Sequence, residues 1–248
     1  MTTRRFLRFV PALVIVGPAM SALAQTPQYP GQPPGGTPAA PPATNAASAT
    51  KVMRASRLSG SISIDGKLNE AAWAAAKPAT DFTQSYPNIG AKPTDPTEVR
   101  VLYDDDALYV GVRMFDSEPK QIAAQLARRD ATGIYSDWLH VMIDSYHDRR
   151  TAFRFSVNPR GVQKDVLEFD DRGGEDLNWD AVWEVATSVD SAGWTAEYRI
   201  PFSQLRFGRA PSGVERVWGI QIMRDVARRN ERDSWSPWKT SDAGFVSL

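Results

Sequence analysis

The chain has 248 residues, 29 basic and 29 acidic side chains, no cysteine, and two histidines, His140 and His147. That length suits one or two domains, and the balanced charge leaves no footprint for nucleic acid. The missing thiols exclude disulfides, thiolate zinc sites, iron–sulfur clusters and cysteine nucleophiles. Eight tryptophans are an excess that a folded chain must pack into a core or use as a binding platform.

In chain order, Arg4, Arg5 and Arg8 precede a mostly apolar run at 9–20, and Ala22-Leu23-Ala24 has the small-x-small pattern. Residues 1–24 therefore read as a signal peptide cleaved after Ala24. The apolar run falls short of the roughly twenty residues a spanning helix requires. Export to the periplasm, the outer membrane or the medium is the expectation. Residues 25–50 hold seven prolines and no charge, a composition that cannot bury enough apolar surface to offset its chain entropy. They read as a disordered Pro/Ala-rich linker.

From Lys51 the pattern changes to short alternating runs. Ser61-Ile62-Ser63-Ile64 alternates up to Asp65-Gly66, and 67–76 has helical spacing in Leu68, Ala72 and Trp73 before Pro78 stops it. Val99, Val101 and Tyr103, the acidic turn Asp104-Asp105-Asp106, then Leu108, Val110 and Val112 describe a hairpin. Leu139, Val141 and Ile143 share one strand face, while Trp138, His140 and Met142 share the other. Phe153, Phe155 and Val157 alternate with Arg154, Ser156 and Asn158. After Val166 the chain reads as a strongly acidic loop, followed by strands at 182–189, 194–200 and 218–222 and a short run at 244–248. Many short strands with one short N-terminal helix predict an all-β, antiparallel two-sheet β-sandwich over 51–248.

Four blocks carry a resemblance: Ile64-Asp65-Gly66-Lys67-Leu68-Asn69-Glu70-Ala71-Ala72-Trp73, then Val99 through Val110, then 137–144, then Gly193-Trp194-Thr195-Ala196-Glu197-Tyr198-Arg199-Ile200-Pro201-Phe202. In this order they resemble the family 9 carbohydrate-binding modules. The motifs at 146–153 and 158–163 resemble the variant that opens large exported bacterial proteins and is followed by a β-barrel-like region, so this chain is expected to be a C-terminally truncated piece. The resemblance implies a jelly-roll-like sandwich that binds poly- or oligosaccharide without cutting it. It places one stacking tryptophan at Trp238 and the other where Ile134 and Tyr135 stand, with polar partners at His140, Ser156 and Asn158. It also implies structural Ca²⁺, with Asp116 the candidate ligand.

The residues themselves permit other readings. Trp73, Trp194 and Trp218 sit on apolar faces and are expected in the core. Paired carboxylates could serve a glycoside hydrolase, although no G-x-S-x-G, H-E-x-x-H or phosphate loop occurs. Met114, His140, Met142 and Met223 could ligate haem. A structural module packed against an outer-membrane barrel is the remaining alternative.

Overall fold

The computed structural model describes residues 51–171, 173–208 and 215–237. The expected signal peptide, the linker and the run at 244–248 lie outside the described residues. The described elements are β1 (Ser56–Arg57), α1 (Ala71–Ala75), β2 (Thr83–Tyr86), β3 (Thr97–Tyr103), β4 (Ala107–Phe115), β5 (Trp138–Asp144), β6 (Ala152–Val157), β7 (Gln163–Phe169), β8 (Gly174–Asp176), β9 (Glu184–Asp190), β10 (Gly193–Pro201), β11 (Gly219–Val226) and β12 (Glu231–Ser234). They form a five-stranded sheet in the order β1-β3-β4-β10-β9 and a seven-stranded sheet in the order β2-β12-β11-β5-β6-β7-β8. Every pairing is antiparallel except that of β1 with β3.

Period-two alternation aims one row of each strand at the interior. Val99 and Val101, then Val110, Val112 and Met114, then Trp194, Ala196, Tyr198 and Ile200 come from the five-stranded sheet. They meet Leu139, Val141, Ile143, Phe153, Phe155, Val157 and Ile222 of the other in one buried cluster. Trp183 stacks on Tyr198 with ring centroids 5.5 Å apart and stands edge-on to Phe155 at 5.3 Å. Each such side chain contributes about 1.5–3 kcal/mol on burial. The acidic turn is fixed by Asp104, whose Oδ1 accepts the Asp106 and Ala107 N–H groups at 2.8 Å each, while the Tyr109 hydroxyl donates to Oδ2 at 2.8 Å.

The structure departs from the sequence reading in two places. Ser61-Ile62-Ser63-Ile64 is not a strand: its isoleucines pack, with Leu58 and Leu68, on a second cluster containing Trp73, Leu102 and Tyr109. The segment 58–76 therefore covers the outer face of the five-stranded sheet. The stretch after Val166 is not a loop but continues β7 to Phe169, because its charges are paired in space, Asp165 with Arg129 at 2.5 Å and Glu168 with Arg154 at 2.9 Å.

Glu197 anchors the covering segment. Its Oε1 accepts the Trp73 indole N–H at 2.8 Å, and its Oε2 accepts the Asp65 and Gly66 N–H groups at 3.0 and 3.1 Å. Gly66 has φ of +82°, and a Cβ there would lie 2.7 Å from the Thr187 carbonyl carbon, so only glycine makes this turn. Gly111 leaves the room that the Leu68 and Trp73 side chains fill.

Candidate functional site

The opposite outer face, on the seven-stranded sheet, is polar. Pairing registers lay side chains across it in rows. One row runs Tyr86, Arg232, Asp225, Trp138 across β2, β12, β11 and β5. The next runs Ser234, Met223, His140, Ser156, Lys164. Beyond it lie Gln221, Met142, Arg154 and Val166. Met142, Ala152 and Met223 make a small buried apolar cluster in the middle.

His140 is the hub. Its Nδ1 lies 2.8 Å from Ser156 Oγ and its Nε2 lies 3.3 Å from Asp225 Oδ2. Asp225 is gripped by Arg232, with Nε to Oδ1 at 2.6 Å and Nη2 to Oδ2 at 2.8 Å. Burial opposes its charge, but the Arg232 and His140 contacts hold it well below the usual carboxylate range. A carboxylate can only accept, which assigns the proton to His140 Nε2 and leaves Nδ1 to accept from the Ser156 hydroxyl. Burial lowers the His140 pKa, offset in part by Asp225. Beside it, Arg154 reaches Glu168 at 2.9 Å and Glu175 at 2.8 Å. The result is a network of polar groups paired with one another, with aromatics at one end: half-buried Trp138, its ring stacked on His140 at 6.3 Å, and exposed Tyr86.

The structure distributes the expected site residues unevenly. His140 and Ser156 come together across β5 and β6. Tyr135 is 63% exposed on the approach to β5, its N–H donated to Gln125 Oε1 at 3.1 Å. Asn158 is fully buried and uses its groups within the chain: Nδ2 donates to Gln125 O and Ser136 Oγ, and Oδ1 accepts from the Arg160 and Val162 N–H groups. Its contribution is to fix the 125–136 connection that carries Tyr135. Trp238 lies outside the described residues; Ser236, two positions earlier, is tied to Gln221 on this face by hydrogen bonds in both directions.

Asp116 does not fit the role of calcium ligand. Arg228 donates to both of its oxygens, at 2.7 and 2.8 Å, and the Glu118 N–H donates to Oδ1 at 2.7 Å. Among the described residues no group of three or more His, Asp or Glu side chains is placed to hold a metal ion. The haem candidates are not gathered at one point either: Met114 lies in the core between the sheets, His140 and Met142 point to the outer face, and both ring nitrogens of His140 are engaged.

Sequence reasoning missed Tyr86, Asp225, Arg232 and Arg154. Arg154 could have been found from the alternation that places it on the same face of β6 as Ser156. Tyr86 and Arg232 sit on β2 and β12, which carry no hydrophobic period, and Asp225 lies beyond the run of alternating residues that marks β11.

A second concavity, a cleft of about 430 Å³ lined by residues including Lys67, Asn69, Arg100, Arg113 and Asp190, lies on the opposite side beside α1. Its charges pair with one another, Arg113 with Asp190 at 2.7 Å through both oxygens and Arg100 with Glu98 at 3.0 Å. Its aromatic, Trp73, is buried, so it offers no ring face for stacking.

A family model described as carbohydrate family 9 binding domain-like matches residues 64–244. The chain belongs to that family. This family 9 domain is thus a non-catalytic carbohydrate-binding module and not a hydrolase. Comparison with curated proteins returns no match. Among solved structures, a family 9 carbohydrate-binding module from Caldicellulosiruptor kristjanssonii in complex with cellotriose is 17% identical, with a TM-score of 0.48 over 73% of this chain and 82% of its own. A protein from Bacteroides uniformis, provisionally described as carbohydrate-binding, is 11% identical, with a TM-score of 0.54 over 76% and 90%. The latter likeness shows the sandwich fold.

Proposed function

We propose that this family 9 domain is an exported module that holds an oligosaccharide on the outer face of its seven-stranded sheet. The carrying observation is the row Tyr86, Arg232, Asp225, Trp138 beside His140: aromatic surface and oriented polar groups on one rigid face. A pyranose offers an apolar C–H face to a ring and hydroxyls to fixed donors and acceptors, and this pairing meets both needs. Trp138, Tyr86 and Tyr135 are the proposed stacking surfaces, with Trp238 as the wall that the family resemblance supplies. The export signal and a following β-barrel region belong to the same proposal and rest on the sequence motifs.

The test is calorimetric titration of the purified chain with gluco-, xylo- and manno-oligosaccharides, repeated with Trp138→Ala and Trp238→Ala. Saturable binding in one series, weakened about tenfold or more in Trp138→Ala, is expected. A flat response to every series would overturn the proposal. Export is checked separately, by N-terminal sequencing of the mature protein, which is expected to begin at Gln25.

A further inference from the structure

One end of the sandwich contains a buried corner made of oxygen. The main-chain carbonyls of Asp95, Pro96 and Phe115, the Thr97 hydroxyl and the Asp116 carboxylate surround a single point. Carbonyls together with carboxylates are the ligand set that Ca²⁺ takes. Here the point is filled by the fully buried guanidinium of Arg224 from β11. Its Nη1 donates to Asp95 O at 3.4 Å, Pro96 O at 3.2 Å and Thr97 Oγ1 at 3.2 Å. Its Nη2 donates to Phe115 O at 2.6 Å and lies 4.0 Å from Asp116 Oδ2. At the rim, Arg228 grips Asp116 through both oxygens, and Arg229 pairs with Asp95.

We infer that Arg224 is the structural cation of this module, with Arg228 paired to Asp116 and Arg229 to Asp95 at its rim, so that the corner closes without a divalent ion. Three physical points carry this. The planar guanidinium spreads its donors over four acceptors on two chain segments, which an ammonium cannot do. A divalent ion set beside it would face a like charge about 4 Å away in a buried setting, a repulsion far larger than in water. A covalently tethered cation also cannot be diluted or chelated away, whereas a bound ion stabilises only in proportion to its occupancy. The corner has a structural task in either case. It fastens the five-stranded sheet at Thr97 and Phe115 to β11, and the turn after β11 holds the start of β5 through the Ala227 N–H to Asp137 Oδ1 bond at 2.9 Å.

The experiment uses the intact chain. Its metal content is measured by mass spectrometry after purification without added metal, and its melting temperature is followed in EDTA and then in millimolar CaCl₂. The expected result is no stoichiometric calcium and a melting temperature unchanged to within about 1 °C. A drop of several degrees in EDTA that calcium reverses, or one calcium ion per chain, would overturn the inference. In parallel, Arg224→Ala and Arg224→Lys are expected to melt about 10 °C lower, lysine rescuing little because it cannot span the acceptors. Unchanged melting in both variants would overturn it equally. If neither accumulates in folded form, Arg228→Lys supplies the same reading with a smaller drop, and its melting at the wild-type temperature would count against the inference.

Discussion

The two outer faces of this sandwich start from the same alternating strands and end in opposite conditions. On the five-stranded sheet, the outward positions Leu102, Tyr109 and Gly111 accept the segment 58–76, which lays Trp73, Leu68, Ile62 and Ile64 over them. On the seven-stranded sheet Met142, Ala152 and Met223 make a small outward apolar cluster, and around it lie the His140–Asp225 hydrogen bond and the ion pairs of Arg154 with Glu168 and Glu175 and of Arg232 with Asp225. The difference lies in what the outward residues can do. Small and apolar ones invite a second layer and convert a face into stability. Long paired ones hold their heads in fixed places, where a hydroxylated ligand can exchange with water. Glu197 marks the first condition and His140 the second: Glu197 is buried and faces its own chain, whereas His140 is partly buried and sits within a network at the surface.

The largest test of this contrast is Trp73→Ala. Removing a side chain that is 1% exposed and fastens the covering segment is expected to cost about 4 kcal/mol in urea unfolding. Trp138→Ala on the other face is expected to cost about 1 kcal/mol while weakening sugar binding. Equal losses of stability at the two sites would dissolve the distinction between a structural and a ligand-facing side.

Gly66→Ala comes next, at about 2 kcal/mol or more, because the substitution meets both a positive φ and a backbone contact at 2.7 Å. A neutral result would mean that the Asp65-Gly66 turn does not set the position of the cover.

The smallest expected effect is on pH dependence, and it has opposite signs on the two faces. Burial raises the Glu197 pKa, its hydrogen bonds opposing incompletely, so the folded state binds the proton more readily than the unfolded one. Its contribution therefore falls as pH rises from the ordinary carboxylate value through the folded value. Asp225 is held low; its contribution is complete above the ordinary value and is lost as pH falls through the folded one. Urea midpoints measured from pH 3 to pH 8 should show Glu197→Gln flattening the decline at the upper end and Asp225→Asn flattening the rise at the lower end. The interior adds to the decline, since burial pushes Asp137 up to about 6 and Asp233 up to about 7. The same slope in wild type and both variants would show that neither face contributes.

How far the sequence could be read depended on where each charge found its partner. β3, β4, β5, β6 and β10 were legible because each carries an apolar residue at every second position. β12, Glu231–Ser234, carries none, and it is a strand because Thr94 binds Glu231, Asp225 binds Arg232 and Ser85 meets Ser234. β7 was hidden in the same way by Asp165 and Glu168. In the candidate site, His140 and Ser156 were visible as alternating polar positions on neighbouring strands, sixteen residues apart. Asp225 and Arg232 were not, since Asp225 lies 85 residues from His140 and the grouping follows only from β11 lying between β5 and β12.

By itself the sequence determined the sandwich, the hairpin at the acidic turn, the buried tryptophans Trp73 and Trp194, and the family motifs, because hydrophobic period and turn chemistry are local properties of the chain. The tertiary structure alone decided which outer face is covered and which is left polar. It also decided that Asp116 faces Arg228, and that Arg224 fills a cage of main-chain carbonyls. Those outcomes depend on charges and carbonyls brought together across two sheets, and pairing of that kind leaves no period in the sequence.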